Sequence, residues 1–323
     1  MNTINEAKAW ALAPMYSLYR CEARRLPIIK LILSKEESRY SMIVKNGRII
    51  DPASKIDEIA DILIENDIIK RIDKNIKVDG ERVINAEGRI IAPGLIDIHV
   101  HFREPGFEYK EDIISGSKAA ARGGFTTVVC MANTAPAVDN IETLKYINNI
   151  IKHSSINVLQ AAAVTKGLKG TEIVNMEELK NNGAAGFSDD GFPIMDTNIL
   201  LNAMLEAKRL NLPISLHEED PRLIDSPGIN EGIISKKLNI KGAPQLAEDV
   251  MVARDCMIAL KTGAKVNFQH ISSGLSVDII RWAKLMGANI TAEATPHHFS
   301  MTEDDILEFR TNAKMNPPLR TEN

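Results

Sequence analysis

The hydrophobic rhythm of the chain changes at Pro93-Gly94. Before that point, short apolar runs alternate with turn residues. The stretches 42–50, 61–65, 68–72, 83–84 and 89–91 read as strands. Asp51-Pro52, Asn66-Asp67 and Glu87-Gly88 interrupt them, and Asn-Asp between two apolar runs is a hairpin signal. Residues 42–92 are therefore expected to form a small β-module.

Beyond Pro93-Gly94 the pattern lengthens. Apolar, β-rich runs at 95–100, 126–131, 158–164, 184–187, 214–217, 265–270 and 289–294 alternate with amphipathic stretches. Those at 112–122, 176–182, 198–209, 246–262 and 275–286 have helical spacing. Gly123, Gly183, Gly263 and Gly287 sit where such helices should end, as glycine tolerates the conformation that closes a helix. Strand–helix alternation predicts a parallel sheet with crossover helices. Seven strands of this kind fit an α/β protein with a (β/α)₈ barrel missing its eighth strand, or a doubly wound sheet. No G-x-G-x-x-G follows an early strand, which weakens the dinucleotide-binding reading.

Residues 1–41 follow neither pattern. Arg20, Arg24, Arg25 and Lys30 lie among scattered apolar residues, and Lys30 breaks the apolar run 26–33. A signal peptide needs an uninterrupted apolar core and a small-residue cleavage site. The segment is read as an N-terminal extension outside the fold, with Met42 the natural start; a targeting or docking segment is the alternative.

Composition narrows the function classes. A net charge of −4 gives no reason to expect nucleic acid or an anionic membrane as partner. Cys21, Cys130 and Cys256 are far apart and show no C-x-x-C spacing, so neither a disulfide framework nor a thiolate zinc site is indicated. A reducing cytoplasm is the default compartment. No apolar run approaches the length of a membrane span.

The histidines carry the chemistry. His99 and His101 are two apart on one expected strand, so both imidazoles face the same way and can hold one metal ion. His217 and His270 end two further strands, and Asp189-Asp190 ends another. Carboxyl ends of barrel strands converge on one mouth, where active sites lie. A carboxylate among neutral imidazoles can bridge two divalent metals. A lone histidine at a strand end is more often structural, and His153, His297 and His298 are read that way. Asp189 alone is as readily a turn or capping residue as a ligand. The cluster of His99, His101, Asp190, His217 and His270, rather than any single member, supports the metal reading.

The segment PGLIDIHVHFREPG at 93–106 resembles the metal signature of the amidohydrolase superfamily and, through FREPG, class I dihydroorotases in particular. AAARGGFTT at 119–127, MANT at 131–134, FSDDG at 187–191, TAEATPHH at 291–298 and KMNPPLR at 314–320 extend the resemblance from Met42 to the C-terminus. It implies a TIM barrel with a small N-terminal β-sandwich module. The expected division is 1–41 extension, 42–92 partial sandwich and 93–323 incomplete barrel. It implies two zinc ions: His99 and His101 on the first, His217 and His270 on the second, and Asp190 as the bridge where many relatives carry a carbamylated lysine. Arg103, Asn133 and Asn316 resemble the groups that hold the substrate carboxylate and ring. A guanidinium grips a carboxylate with two parallel bonds, and amides both donate and accept, as a cyclic ureide requires.

The implied reaction is reversible hydrolysis of dihydroorotate to N-carbamoyl-L-aspartate, a step of pyrimidine biosynthesis. Metal-bound hydroxide attacks the ring amide carbonyl, and an acid protonates the departing nitrogen. The family supplies that acid, also a ligand of the first metal, from an Asp-His-Ala-Pro-His motif at the eighth strand. The sequence ends at Asn323 without it, so no catalytic acid is assigned. Ala132 stands where the family usually has proline. The expectation is a fragment with weak metal binding and impaired turnover. The expected partner is a small-molecule substrate, with a homodimer or aspartate transcarbamoylase as candidate protein partners. The alternatives are another cyclic amidase, allantoinase or dihydropyrimidinase, and a non-catalytic partner of aspartate transcarbamoylase. Arg103 disfavours a dihydropyrimidinase, whose neutral ring offers it no carboxylate.

Overall fold

The computed structural model describes residues 41–77 and 82–322; the extension read over 1–41 lies outside them except for Ser41, which opens the first strand. Strands β1 (Ser41–Asp51), β2 (Ile56–Glu65), β3 (Ile68–Asp73), β4 (Arg82–Asn85) and β5 (Ile90–Ile91) form one sheet. Its order is β3-β2-β1-β4, with β5 also pairing β1. β1–β2 and β2–β3 are antiparallel hairpin pairs. The β2–β3 turn falls at Asn66-Asp67, both in the left-handed conformation, which Asn and Asp tolerate better than most residues. β2 begins five residues before the expected 61–65 run, because Asp57 and Ile59 continue the pairing with β1. Met42, Ile49, Ala60, Ile62 and Ile64 pack into the module's apolar cluster.

The second unit begins at β6 (Leu95–Val100), followed by α1 (Ile113–Arg122), β7 (Phe125–Cys130), α2 (Ile141–Ile151), β8 (Asn157–Gln160), α3 (Met176–Asn181) and β9 (Phe187–Ser188). It continues through α4 (Thr197–Leu210), β10 (Ile214–Leu216), α5 (Ile233–Lys237), α6 (Leu246–Thr262), β11 (Val266–Phe268), α7 (Gly274–Leu285) and β12 (Ile290–Ala292). All seven expected strand positions are occupied. Their pairings are parallel: β6-β7-β8 form one run and β9-β10-β11-β12 another. A parallel bridge from Ala162 to Phe187 joins the two runs.

Helices α1, α2 and α4 start where short polar side chains take up free backbone N–H groups. Asp112 accepts from Ser115 N, Asn140 from Thr143 N and Asp196 from Asn198 N and Ile199 N. Helix α2 was not among the expected helices; Leu144 and Ile147 anchor it in the core. α6 ends at Gly263, φ +67°. Phe187, Ile214, Val266 and Phe268 share the main core with Leu200, Met204 and Cys256 from the helices. Among the described residues no helix is long and apolar enough to cross a membrane.

This core fixes the strand ends and hence the loops that follow them. The loops after β6 and β7 touch: Ala135 N donates to Pro105 O at 2.9 Å. Gly106 has φ +93°, and a Cβ there would lie 2.1 Å from Ala135 O. Gly106→Ala combines a left-handed backbone with a clash against main chain. It is expected to lower the melting temperature by about 4–8 °C, equivalent to about 2 kcal/mol in a chain of this size. A melting curve within about 1 °C of the parent would show that the two loops separate freely.

Candidate metal centre

Each ligand-type residue stands at the carboxyl end of a parallel strand. His99 is in β6, and His101 follows it by two. Asp190 follows β9, His217 follows β10, and His270 lies two residues past β11. The structure brings all five together, as the spacing and strand-end positions led one to expect.

Asp190 is at the centre and 4% exposed. His99 Nε2 is 3.3 Å from Asp190 Oδ1, with His270 Nε2 at 3.7 Å and His217 Nδ1 at 3.8 Å from the same oxygen. His101 Nε2 is 3.3 Å from Oδ2. His217 Nδ1 and His270 Nε2 are 3.0 Å apart. His99 shares a carboxylate oxygen with His217 and His270, while His101 takes the other. His99, Asp190 and His270 offer donor atoms all within 4.8 Å of one another.

The residues fit a divalent cation. Ligand atoms about 2.0–2.1 Å from one zinc lie about 3.3 Å apart in a tetrahedron. Asp190 Oδ1 is buried without a hydrogen-bond partner, in a ring of imidazole nitrogens. A buried carboxylate oxygen is costly to leave unsatisfied, and an ion coordinated there would satisfy it.

The charges respond to the crowding. Burial opposes a charge on His99, but Asp190 and Glu293 outweigh it and raise its pKa to about 10. Burial likewise opposes a charge on His217, yet Asp190 and Glu219 raise it to about 9. Burial lowers His101 to about 4, with Asp190's attraction offset by the positive charges of His99 and Arg103. For Asp190, burial alone would raise the pKa; the imidazoles of His217, His270 and His99 facing its carboxylate hold it well below the usual carboxylate range.

Two acidic residues that the sequence reading did not single out complete the centre. Glu293, just past β12, accepts from His99 Nδ1 at 2.5 Å. Glu219 Oε2 is 3.0 Å from His217 Nε2. The available signal was position: both follow parallel strands by one to three residues.

The residues expected to hold substrate are at the same mouth. Asn133 Oδ1 is 3.0 Å from His101 Nδ1, and its Nδ2 donates to Asp190. Asn316 Nδ2 donates to Glu219 Oε2 at 2.5 Å. Arg103 has φ +56°, and its charge reaches His101. Asp189, His298 and His153 make their contacts elsewhere. Asp189 accepts from Val164 N and Thr165 N and from the Thr165 hydroxyl. His298 bridges Thr295 Oγ1 and Pro317 O. His153 is exposed, on the turn after α2.

With that geometry in view, the likeness to known proteins has a physical content. A family model described as dihydro-orotase-like matches residues 88–276. The chain is 59% identical over 281 residues to a dihydroorotase of Clostridioides difficile, an alignment covering 87% of this chain and 67% of that protein. It is 56% identical to a dihydroorotase of Clostridium acetobutylicum, covering 87% and 66%. It thus spans about two thirds of the length of these curated relatives. An L-hydantoinase (dihydropyrimidinase) from Arthrobacter aurescens shares its fold, with a TM-score of 0.75, 21% identity, and coverage of 88% of this chain and 64% of that one. The converging histidines and the matched stretch coincide, and the chain belongs to the dihydro-orotase-like family of cyclic-amide hydrolases.

Proposed function

We propose that this chain carries the metal centre and substrate-carboxylate site of a dihydroorotase, which hydrolyses dihydroorotate reversibly to N-carbamoyl-L-aspartate in pyrimidine biosynthesis. The observation that carries the reading is the ring of His99, His101, His217 and His270 around the buried Asp190, in a chain 59% identical to a dihydroorotase. Two zinc ions are proposed, with Asp190 between them. When bound, they would polarise the ring carbonyl and activate water as the nucleophile.

The chain's own residues supply the rest. Asp190 stays deprotonated, its pKa held well below the usual carboxylate range. Arg103, beside His101, pairs with the substrate carboxylate through two charge-assisted bonds and so selects dihydroorotate over neutral rings. Asn133 and Asn316, anchored on Asp190 and Glu219, border the ring and offer it amide donors and acceptors. The finer architecture belongs to the same proposal: 42–92 as part of a β-sandwich, 93–323 as part of a (β/α)₈ barrel, in a cytoplasmic enzyme. A homodimer and aspartate transcarbamoylase are the partner candidates.

Two predictions follow from the charges. Imidazole binds metal only when its donor nitrogen is free of a proton. In the metal-free chain His99 and His217 hold protons up to about pH 10 and 9, so zinc must displace them near neutral pH. Zinc affinity, measured by chelator competition, is expected to rise at least about tenfold from pH 7 to pH 8. A flat profile would mean that these histidines do not ligate. For the substrate, turnover is measured on this chain and on a gene product extended to the length of its relatives. Dihydroorotate is expected to be preferred over dihydrouracil and allantoin, and Arg103→Met to lower kcat/KM about 10- to 100-fold. Preference for a neutral ring, or indifference to Arg103→Met, would contradict the assignment.

A further inference from the structure

Each ligand-type imidazole has one nitrogen facing Asp190 and one facing away. Three of the rear nitrogens are held. Glu293 Oε1 is 2.5 Å from His99 Nδ1, Asn133 Oδ1 is 3.0 Å from His101 Nδ1, and Glu219 Oε2 is 3.0 Å from His217 Nε2. His270 Nδ1 is buried without a hydrogen-bond partner among the described residues. Its orientation must be set through its main chain instead.

Glu293 is placed to do both tasks. Its Oε1 also accepts from the His270 main-chain N–H at 3.2 Å, and its Oε2 accepts from Asn267 Nδ2 at 3.3 Å. His270 has φ +33°, which a non-glycine residue adopts only when its surroundings hold it there. His99 belongs to β6, the first strand of the second unit, and Glu293 follows β12, the last of those described. Among the described residues β6 and β12 are not paired, so this contact ties the two ends of the strand series through a side chain.

We propose that Glu293 is the positioning residue of the metal centre, fixing His99 with its Nδ1 hydrogen to the rear and its Nε2 lone pair toward a divalent cation, and holding His270 in its strained backbone. This rests on the metal-site reading above. A carboxylate behind an imidazole fixes the tautomer and raises the basicity of the coordinating nitrogen. Glutamine at this position keeps an acceptor oxygen but loses the charge; alanine loses both.

The test is metal affinity of the 323-residue chain, without reference to turnover. Zinc is titrated against a chromogenic chelator, and cobalt is followed by its visible absorption, for the parent chain, Glu293→Gln and Glu293→Ala. The expected order is parent, then Gln, then Ala, with a total loss of about 10- to 100-fold and a weakened cobalt spectrum. Melting of the metal-free proteins is recorded alongside. A packing role alone would lower the melting temperature and leave the folded fraction's affinity and cobalt spectrum unchanged, which would overturn the proposal. So would zinc affinities within about twofold of the parent for both variants. If the parent chain itself retains neither metal, the metal-site reading fails and the role of Glu293 falls with it, an outcome distinct from a parent that binds and variants that bind equally well.

Discussion

Asp190 carries a negative charge where water hardly reaches, and the surroundings are arranged to compensate it. A lone carboxylate in that position would take up a proton rather than remain charged. Three imidazoles, those of His217, His270 and His99, delivered by separate strand ends, keep it ionised. Two of them hold protons well above the usual histidine range as a result. The metal-free centre is thus a charge-balanced cluster in which protons occupy the places that cations would take. Removing the carboxylate would leave buried positive charges uncompensated, which costs more than an exposed pair of the same kind.

That balance depends on the parallel sheet. The side chains converge because neighbouring strands end at one level, and the strands are held there by a core of Phe187, Ile214, Val266 and Phe268 packed against the helices. The loops between strand and helix then lock the mouth. Asp189, adjacent to the bridging residue, is fully used as an acceptor for Val164 and Thr165. Adjacent aspartates thereby take different roles: one anchors a loop, and the other faces the imidazoles.

Much of this was legible in the sequence. The period-two spacing of His99 and His101 and the placement of His217 and His270 at the ends of apolar runs are local signals, and the structure keeps them. The choice of Asp190 over Asp189 came from family resemblance, since both stand in the same short segment. Glu219 and Glu293 carry no local signal, since acidic residues after a strand usually face solvent; here each is drawn inward by an imidazole, a contact of long sequence separation for Glu293. Helix α2 was missed although Ile141, Leu144 and Ile147 have helical spacing; a run rich in isoleucine and asparagine dilutes that signal.

The most direct measurement is the zinc affinity, by chelator competition, of the parent chain and of Asp190→Asn, which keeps the shape and removes the charge. The parent is expected to bind zinc at least about tenfold more tightly than the variant, with the variant still folded by circular dichroism. Equal affinity in the folded variant would contradict the claim that this carboxylate organises the centre.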